Sequence, residues 1–334
     1  MSSYLLYQEF YSALLFFFYV IPISISSSLI SIFYCLYCQC FVEAFIIRKQ
    51  SHWIGNALCK DILIPVSLFF YGTQENLMKI AHIQPKIFII CMVNIFLYFL
   101  IIYCSNRFLF KIANPKISLL NSGCNSICGV SACAVFIPFV DAKDEEVTST
   151  LFAIVITGIV SVFATWYIIQ HQISLTLSQY SVLTGSTLNQ TGAVKAAARF
   201  MGKEAAHAAL LIKFFRTSLI IPVALVLMYL TRFLKHEAGT SPETKRAAIK
   251  YGIFIALLFF GGSLLFSFTP LSQYSGRLKP WFKILFGMTL ASVGLLCNLK
   301  KSFNKEMIWN ALSSLIGWAV VVGTAVFLIR NWIE

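Results

Sequence analysis

Lys213 and Arg216 are the residues whose type and position most directly suggest chemistry, because they lie inside an apolar segment from Ala205 to Leu230. They are three residues apart, so a helix places them on one face. A charge at the centre of a membrane helix costs about 2.5–3.5 kcal/mol on the insertion scale and is a functional hypothesis by default. The segment contains no Asp or Glu, which favours an anionic ligand for the pair. The alternative is that both residues lie near the membrane surface and extend their charged heads to water.

Two polar stretches interrupt otherwise apolar sequence and could line a site for such a ligand. The first runs from Asn121 to Cys133 and the second from Leu183 to Lys195, and between them they concentrate Gly, Ser, Thr and Asn. Non-helical backbone is tolerated at membrane depth only where it is buried in protein or lines a watery cavity. Paired Gly-interrupted segments are typical of the binding site of a secondary transporter. They predict two discontinuous helices, at about 121–137 and 183–200, whereas close helix packing through small residues is the alternative.

A discontinuous helix near Gly129 would offer backbone N–H groups to the oxygens of an anion, because aligned peptide dipoles make helix N-termini natural anion sites. Neighbouring hydroxyls and amides would add neutral hydrogen bonds. The two cations would supply the compensating charge, and an Arg can bind two oxygens at once. The predicted substrate-binding residues are Ser126, Gly129, Ser131, Asn189, Gln190, Thr191, Lys213 and Arg216. We predict no catalytic residue, no metal ligand and no cofactor.

The elements that must position these residues belong to a chain far more apolar than a soluble protein. Its 334 residues are 58% hydrophobic and 12% charged, with a mean hydropathy of +0.79, whereas soluble domains contain about 25% charged residues. A spanning helix takes about 20 residues, so the length accommodates about 10–11 membrane segments. The prediction is one all-α, polytopic transmembrane domain over residues 1–334, with no separate soluble domain.

The apolar runs predict where these spans lie. Pro22 and the serines after it divide the run Tyr11–Ile47 into two helices. The other predicted spans are Trp53–Tyr71, Ile87–Cys104, Ile117–Val140, Thr150–Gln170, His207–Leu230, Tyr251–Phe268, Trp281–Leu299 and Met307–Ile329. Most of the basic residues behind the net charge of +13 lie in short loops, where Lys and Arg orient spans. The charge therefore does not indicate nucleic-acid binding.

A different chemistry is also open at the first polar stretch. Gly129 and Ser131 have the outline of an intramembrane serine nucleophile, for which His171 or His207 would be the base. Nothing in the sequence places either histidine near Ser131, and a Ser beside Gly more often serves helix packing. A membrane scaffold without transport is a third reading, which two charges at membrane depth disfavour. We expect no enzyme activity.

Residues 126–132, Ser-Ile-Cys-Gly-Val-Ser-Ala, followed by an apolar run and Lys-Asp-Glu-Glu at 143–146, resemble the YeiH-type family of bacterial integral membrane proteins. Members of this family are often labelled as sulfate exporters. The family's C-G-x-S-A element matches residues 128–132, its H-D-T-A-Q-V element matches residues 189–194, and its K-x-x-R element matches Lys213 and Arg216. The family is distantly similar to bile-acid and arsenite-type transporters, which implies inverted repeats and crossing discontinuous helices.

This sequence departs from the family pattern in the second element. Where the family has His, Asp and Gln, this chain has Asn189, Gln190 and Ala193. An ionisable pair that could carry a proton is thus replaced by neutral amides, which can still coordinate Na⁺ or hydrogen-bond an oxyanion.

Together, the residues and the resemblance predict a secondary transporter in a bacterial cell (inner) membrane that exports a small inorganic or organic anion such as sulfate. The expected partners are that anion, membrane lipids and a coupling ion, H⁺ or Na⁺. A homo-oligomer is left open, and no nucleic acid is expected.

Overall fold

A computed structural model of the protein describes residues 64–74, 84–171, 175–234, 242–278, 280–281, 285 and 304–333. Its regular structure within these ranges is helical throughout, which confirms the predicted all-α class. The helices are α1 (Ile64–Gly72), α2 (Pro85–Cys104), α3 (Pro115–Ser126), α4 (Val130–Val140), α5 (Asp144–His171), α6 (Leu177–Thr187), α7 (Thr191–Ala198), α8 (Lys203–Ser218), α9 (Ile220–Leu234), α10 (Pro242–Phe268) and α11 (Lys305–Trp332). A π-helical segment, Ser105–Leu109, extends α2. The predicted spans within Tyr11–Ile47, most of Trp53–Tyr71 and nearly all of Trp281–Leu299 lie outside the described residues.

Four segments of the described chain are long and apolar enough to cross a membrane: Pro85–Leu109, Asp144–Tyr167, Lys203–Thr231 and Lys305–Trp332. The third of these contains the predicted span His207–Leu230, and it consists of α8 and α9 joined by a turn at Leu219. The cause is Pro222, which lacks a backbone N–H and whose ring clashes with the carbonyl four residues earlier, that of Ser218. α8 therefore ends at Ser218.

Local signals in the sequence explain where several helices begin. Asn114 precedes α3 and its side chain accepts a hydrogen bond from the Lys116 N–H at 3.0 Å. Asn304 caps α11 in the same manner, accepting from the Met307 N–H at 2.9 Å. Thr176 begins α6 with a reciprocal capping box. Each cap satisfies a backbone donor that the first turn of a helix leaves unpaired.

Five helix pairs account for much of the packing among the described helices. α11 lies against α2, α5 and α6, α6 lies against α8, and α1 lies against α10. Gly185 permits the close approach of α6 to α8, because a Cβ atom at that position would lie 2.6 Å from the carbonyl oxygen of Ala209. The backbone of α6 and the buried face of α8 are thereby brought together, and this is the face that carries Lys213 and Arg216.

The chain breaks its helical path at two places that correspond to the polar stretches. Residues 127–129 separate α3 from α4, and residues 188–190 separate α6 from α7. Gly129 has φ +68° and ψ −118°, a left-handed region that glycine enters readily and other residues rarely do. Leu188 and Gln190 are extended, with ψ of 137° in both. Both interruptions fall within the predicted elements 121–137 and 183–200. That each helix pair forms one discontinuous membrane helix, and that an inverted repeat relates the two pairs, stay predictions.

Candidate functional site

Lys213 and Arg216 lie on the buried face of α8, and neither has any exposed surface. The Lys213 ammonium donates to the carbonyl oxygens of Ile127 at 2.6 Å and Leu188 at 3.0 Å. The Arg216 guanidinium donates to Leu188 O from Nη1 at 3.0 Å and to Ser126 O from Nη2 at 2.8 Å. The alternative in which both side chains reach out to water is therefore wrong, since their charged heads lie in the protein interior.

The carbonyls that hold these cations belong to the C-terminal ends of two helices. Ser126 O and Ile127 O end α3, and Leu188 O ends α6. The last four carbonyls of a helix have no partner within it, and together they carry about −0.5 of an elementary charge. The pair on α8 therefore caps two helices at once and ties the two interruptions to each other.

The N-terminal ends of the following helices, α4 and α7, lie on the other side of the same interruptions. A Cβ atom built on Gly129, the residue before α4, would lie 3.3 Å from Cγ of Gln190 and 3.8 Å from Cβ of Asn189, the residues before α7. The residue before each helix, Gly129 or Gln190, makes no side-chain capping hydrogen bond. The first N–H groups of α4 and α7, each with a partial positive charge, are thus brought close together.

Asn189 joins the two interruptions directly through a chain of amides. Its Nδ2 donates to Asn125 Oδ1 at 2.6 Å, and Asn125 Nδ2 donates to Asn121 Oδ1 at 2.7 Å. Asn121 Nδ2 in turn donates to Ser314 Oγ at 2.8 Å and to Asn310 O at 3.2 Å on α11. All five side chains are buried, so the chain forms a continuous polar path through an apolar interior.

The remaining predicted site residues are placed less centrally. Ser126 contributes its carbonyl to Arg216, while its hydroxyl donates to Gly123 O at 2.8 Å. Gln190 is half-buried and donates to Ile154 O on α5 at 3.2 Å. Thr191, the first residue of α7, is half-buried.

Ser131 does not contact a histidine in the described structure. Its hydroxyl donates to Cys128 Sγ at 2.8 Å and more weakly to Cys128 O at 3.4 Å. His207 is exposed on α8, and the side chain of His171 lies outside the described residues. The structure therefore gives no positive support to a serine nucleophile at this position.

Sequence reasoning missed several buried polar residues that complete the site. Asn94 and Tyr98 lie one turn apart on α2, and Asn310 lies on α11. Asn94 Nδ2 donates to Ser186 Oγ at 3.1 Å, and the Tyr98 side chain is fully buried. Asn94 is the one amide in the apolar helix α2, and such a residue indicates a partner inside the bundle because lipid offers none.

No acidic residue of the described ranges pairs with the two cations of the site. Within the described ranges the one ion pair is Lys116–Asp141, at 3.4 Å, and Lys213 and Arg216 bind only the carbonyls named above. Arg216 Nε and Asn189 Oδ1 are buried without a hydrogen-bond partner in the described structure, as are Tyr98 Oη and Asn94 Oδ1 on α2. Buried polar groups are normally hydrogen-bonded, so a ligand bound here could supply the hydrogen bonds that these atoms lack.

A polar cavity of about 180 Å³ lies where α3, α5 and α11 begin. Asn114, Asn304, Glu146 and Ser149 are among its lining residues, and the amide chain reaches it because Asn310 Nδ2 donates to Ser149 Oγ at 3.2 Å. The described residues contain no cluster of three His, Cys, Asp or Glu side chains suited to a metal ion. The cavity thus marks the surface end of the polar path that begins at Asn189.

Fold and site together define a multi-pass helical membrane protein in which two interrupted helices meet beside a buried pair of cations. The chain belongs to the family described as conserved hypothetical protein 698, whose model matches residues 19–309.

Named relatives agree with this family and with the YeiH-type resemblance. The chain is 27% identical over 270 residues to a UPF0324 membrane protein of Archaeoglobus fulgidus, a match that covers 80% of this chain and 76% of the relative. A UPF0324 membrane protein of Bacillus cereus is 27% identical over 277 residues, covering 80% and 79%. The UPF0324 inner membrane protein YeiH of Salmonella typhi is 24% identical over 279 residues, covering 81% and 77%. No solved structure matches the chain.

Proposed function

We propose that this protein is a secondary transporter that moves small anions across a membrane. The observation that carries the proposal is the meeting of Lys213 and Arg216 with the ends of two interrupted helices, in a region of the described structure where no carboxylate pairs with them. A structural ion pair would be neutral overall, whereas this centre holds an excess of positive charge.

The size of that excess follows from the helix ends. Two cations contribute two positive charges, and the C-termini of α3 and α6 offset about one of them, at about −0.5 each. The N-termini of α4 and α7 add about +0.5 each. The centre therefore retains about two positive charges in a buried environment, where charge–charge interactions are stronger than in water. An anion of one or two charges is the ligand that this arrangement would stabilise.

In the proposed mechanism, the C-terminal ends of α3 and α6 bind the two cations, and the N-terminal ends of α4 and α7 bind the anion. Lys213 and Arg216 hold the two interruptions in register through shared carbonyls and set the positive potential. N–H groups in the first turns of α4 and α7, with Asn189 and the unpartnered Nε–H of Arg216, would donate to the anion. Alternating access would come from movement of one helix bundle against the other around this fixed centre.

The finer features of the proposal rest on the resemblance and on the names of relatives. The YeiH-type resemblance supports export and a sulfate-like anion. The Salmonella typhi relative is named as an inner membrane protein, which supports a bacterial inner membrane. Asn189 and Gln190 do not titrate, so neither can carry a proton, and a coupling ion, Na⁺ or H⁺, would use other residues.

Transport by the purified full-length protein in proteoliposomes tests the proposal. Labelled sulfate, sulfonates and other small anions would be offered with and without an imposed Na⁺ or H⁺ gradient. We expect at least one anion to move, and we expect Lys213→Met and Arg216→Met to lower its rate at least about tenfold, since about 1.4 kcal/mol of lost stabilisation is tenfold.

Two further variants make the transport assay interpretable. Lys116→Met removes a positive charge at the start of α3, away from the centre, and should keep the wild-type rate. Arg216→Lys keeps the charge if the Met variants do not fold, and its single head group should give an intermediate rate. The proposal is wrong if the wild type moves no anion, or if folded Lys213→Met and Arg216→Met proteins both transport at the wild-type rate.

A further inference from the structure

The amide chain between the two interruptions has a defined direction. Asn125 Nδ2 lies 3.0 Å from the backbone carbonyl oxygen of Asn121 and 2.7 Å from its Oδ1. A backbone carbonyl can only accept a hydrogen bond, so the NH₂ end of Asn125 must face Asn121. The opposite end of the Asn125 amide, its oxygen, is therefore the end that faces Asn189.

This direction is transmitted to Asn189. Asn125 Oδ1 is an acceptor, so the group that approaches it at 2.6 Å must be the Asn189 NH₂. The Asn189 carbonyl oxygen then points away from the chain, and it is buried without a partner. A free amide could turn and offer either end to a ligand, but Asn189 cannot turn without breaking its bond to Asn125.

The partnerless oxygen lies within the positive centre. Arg216 Nη1 and Lys213 Nζ both bind the carbonyl of Leu188, the residue before Asn189. Arg216 Nε is a free donor, and α7 begins with uncapped N–H groups two residues after Asn189. The centre thus combines several donors with one acceptor whose direction is set by the protein.

We infer that the anion carries a hydrogen-bond donor of its own, a hydroxyl group or an acidic proton, and that Asn189 selects for it. This inference rests on the proposed transport of anions and specifies their chemical class. The anionic oxygens of such a ligand accept from Arg216 Nε–H and from the first turn of α7, while its O–H donates to Asn189 Oδ1. An anion with acceptors only places an oxygen lone pair against that carbonyl oxygen and leaves it unsatisfied, which is costly in a buried site.

The competing occupant, a bare cation at Asn189 Oδ1, fits the site less well. Lys213 and Arg216 lie beside the interruptions with no described carboxylate to offset them. A third positive charge would be repelled by both. An anion with a donor group satisfies the acceptor and the excess charge together.

Matched pairs of anions test the inference with the wild-type full chain in proteoliposomes. Hydrogencarbonate and nitrate are both planar monoanions with three oxygens, and only hydrogencarbonate carries a proton. 2-Hydroxyethanesulfonate and ethanesulfonate differ by one hydroxyl. Each would compete against a labelled transported anion, and we expect the donor-bearing member to compete at least tenfold more strongly in at least one pair.

Two substitutions test whether the preference depends on the fixed orientation of the Asn189 amide or only on the presence of Asn189. Asn125→Leu leaves Asn189 in place but lets its amide turn, so the preference should fall to less than threefold. Asn310→Ala removes side-chain bonds to Asn106 and Ser149 but keeps the backbone carbonyl that holds Asn121, so the preference should persist. Size-exclusion chromatography and circular dichroism identify variants that do not fold, and the wild-type comparison decides the inference without them.

The possible results distinguish this inference from the function on which it rests. If the wild type binds and moves no small anion, the proposed function fails. If it moves anions but prefers neither donor-bearing member, or moves only anions that lack a donor such as sulfate, the proposed function stands and the selection by Asn189 is wrong. Retention of the full preference in folded Asn125→Leu would also overturn the assignment.

Discussion

Replacing Lys213 and Arg216 one at a time and together tests whether they share one helix end. Both cations bind Leu188 O. In Lys213→Met, Arg216 still holds that carbonyl, and in Arg216→Met, Lys213 still holds it. Only the double variant leaves the carbonyl unpaired, so the double variant should lose more stability than the two single variants added together.

The magnitude of this excess has two sources with the same sign. An unpaired buried carbonyl costs about 1–3 kcal/mol. The two cations also repel each other, because each donor nitrogen is 3.0 Å from the same oxygen and the nitrogens are no more than about 6 Å apart. At an effective dielectric constant of about 20, two charges about 6 Å apart repel by about 3 kcal/mol. Each single substitution removes the whole repulsion, so the double variant gains this relief only once, whereas the sum of the two single variants counts it twice. We expect a coupling energy of at least about 2 kcal/mol.

The free energy of unfolding can be measured by titrating the detergent-solubilised protein with SDS and following circular dichroism. Lys116→Met combined with Arg216→Met is the matched control, since Lys116 binds Asp141 at the start of α3 and shares no acceptor with Arg216. That pair should be additive within about 0.5 kcal/mol. Additivity of the Lys213 and Arg216 substitutions to the same precision would refute the shared cap.

Three further predictions concern single positions. Gly129→Ala should destabilise the protein by about 1–3 kcal/mol in the same titration, because its φ of +68° is unfavourable for alanine and the added Cβ would lie 2.9 Å from a side chain on α5. Gly323→Ala is the control, because open space surrounds Gly323, and it should not destabilise the protein. Equal losses of stability in the two variants would contradict this account. A serine-reactive phosphonate should not label the wild type, and labelling that Ser131→Ala abolishes would instead indicate a hydrolase. Glu146→Ala should cost about 1–3 kcal/mol, because its carboxylate accepts a side-chain amide at 2.6 Å and a backbone N–H at 2.8 Å, whereas exposed Glu145→Ala should change stability by less than about 0.5 kcal/mol.

Much of the fold could be predicted because its signals are local. Apolar runs of spanning length mark helices, and α2, α5 and α11 lie where those runs predict them. The interruptions were predictable for the same reason, since Gly129 and the polar residues around it disfavour a continuous membrane helix. The turn at Leu219 was also encoded locally, by Pro222, but the apolar run around it concealed the break.

The sequence predicted some residues of the candidate site but not the contacts that they make. A charge within an apolar run is conspicuous, so Lys213 and Arg216 were found from the sequence. Asn94 and Asn310 were not, because a single amide gives no indication of which other amide or hydroxyl it meets. Asn310 contacts Asn121 across 189 residues of sequence and Asn94 contacts Ser186 across 92, distances over which composition and periodicity carry no information.

The sequence by itself determined that this chain is a helical membrane protein, that two of its helices are interrupted, and that two cations lie within an apolar segment. These are properties of short stretches, governed by hydropathy and backbone preference. Only the tertiary structure decided what the cations bind. The sequence suggested that they face a ligand directly, whereas α8 brings them to carbonyls 86 and 90 residues earlier in the chain. A helix end is a strong acceptor in any fold, but which cation reaches it depends on how helices distant in sequence pack against each other.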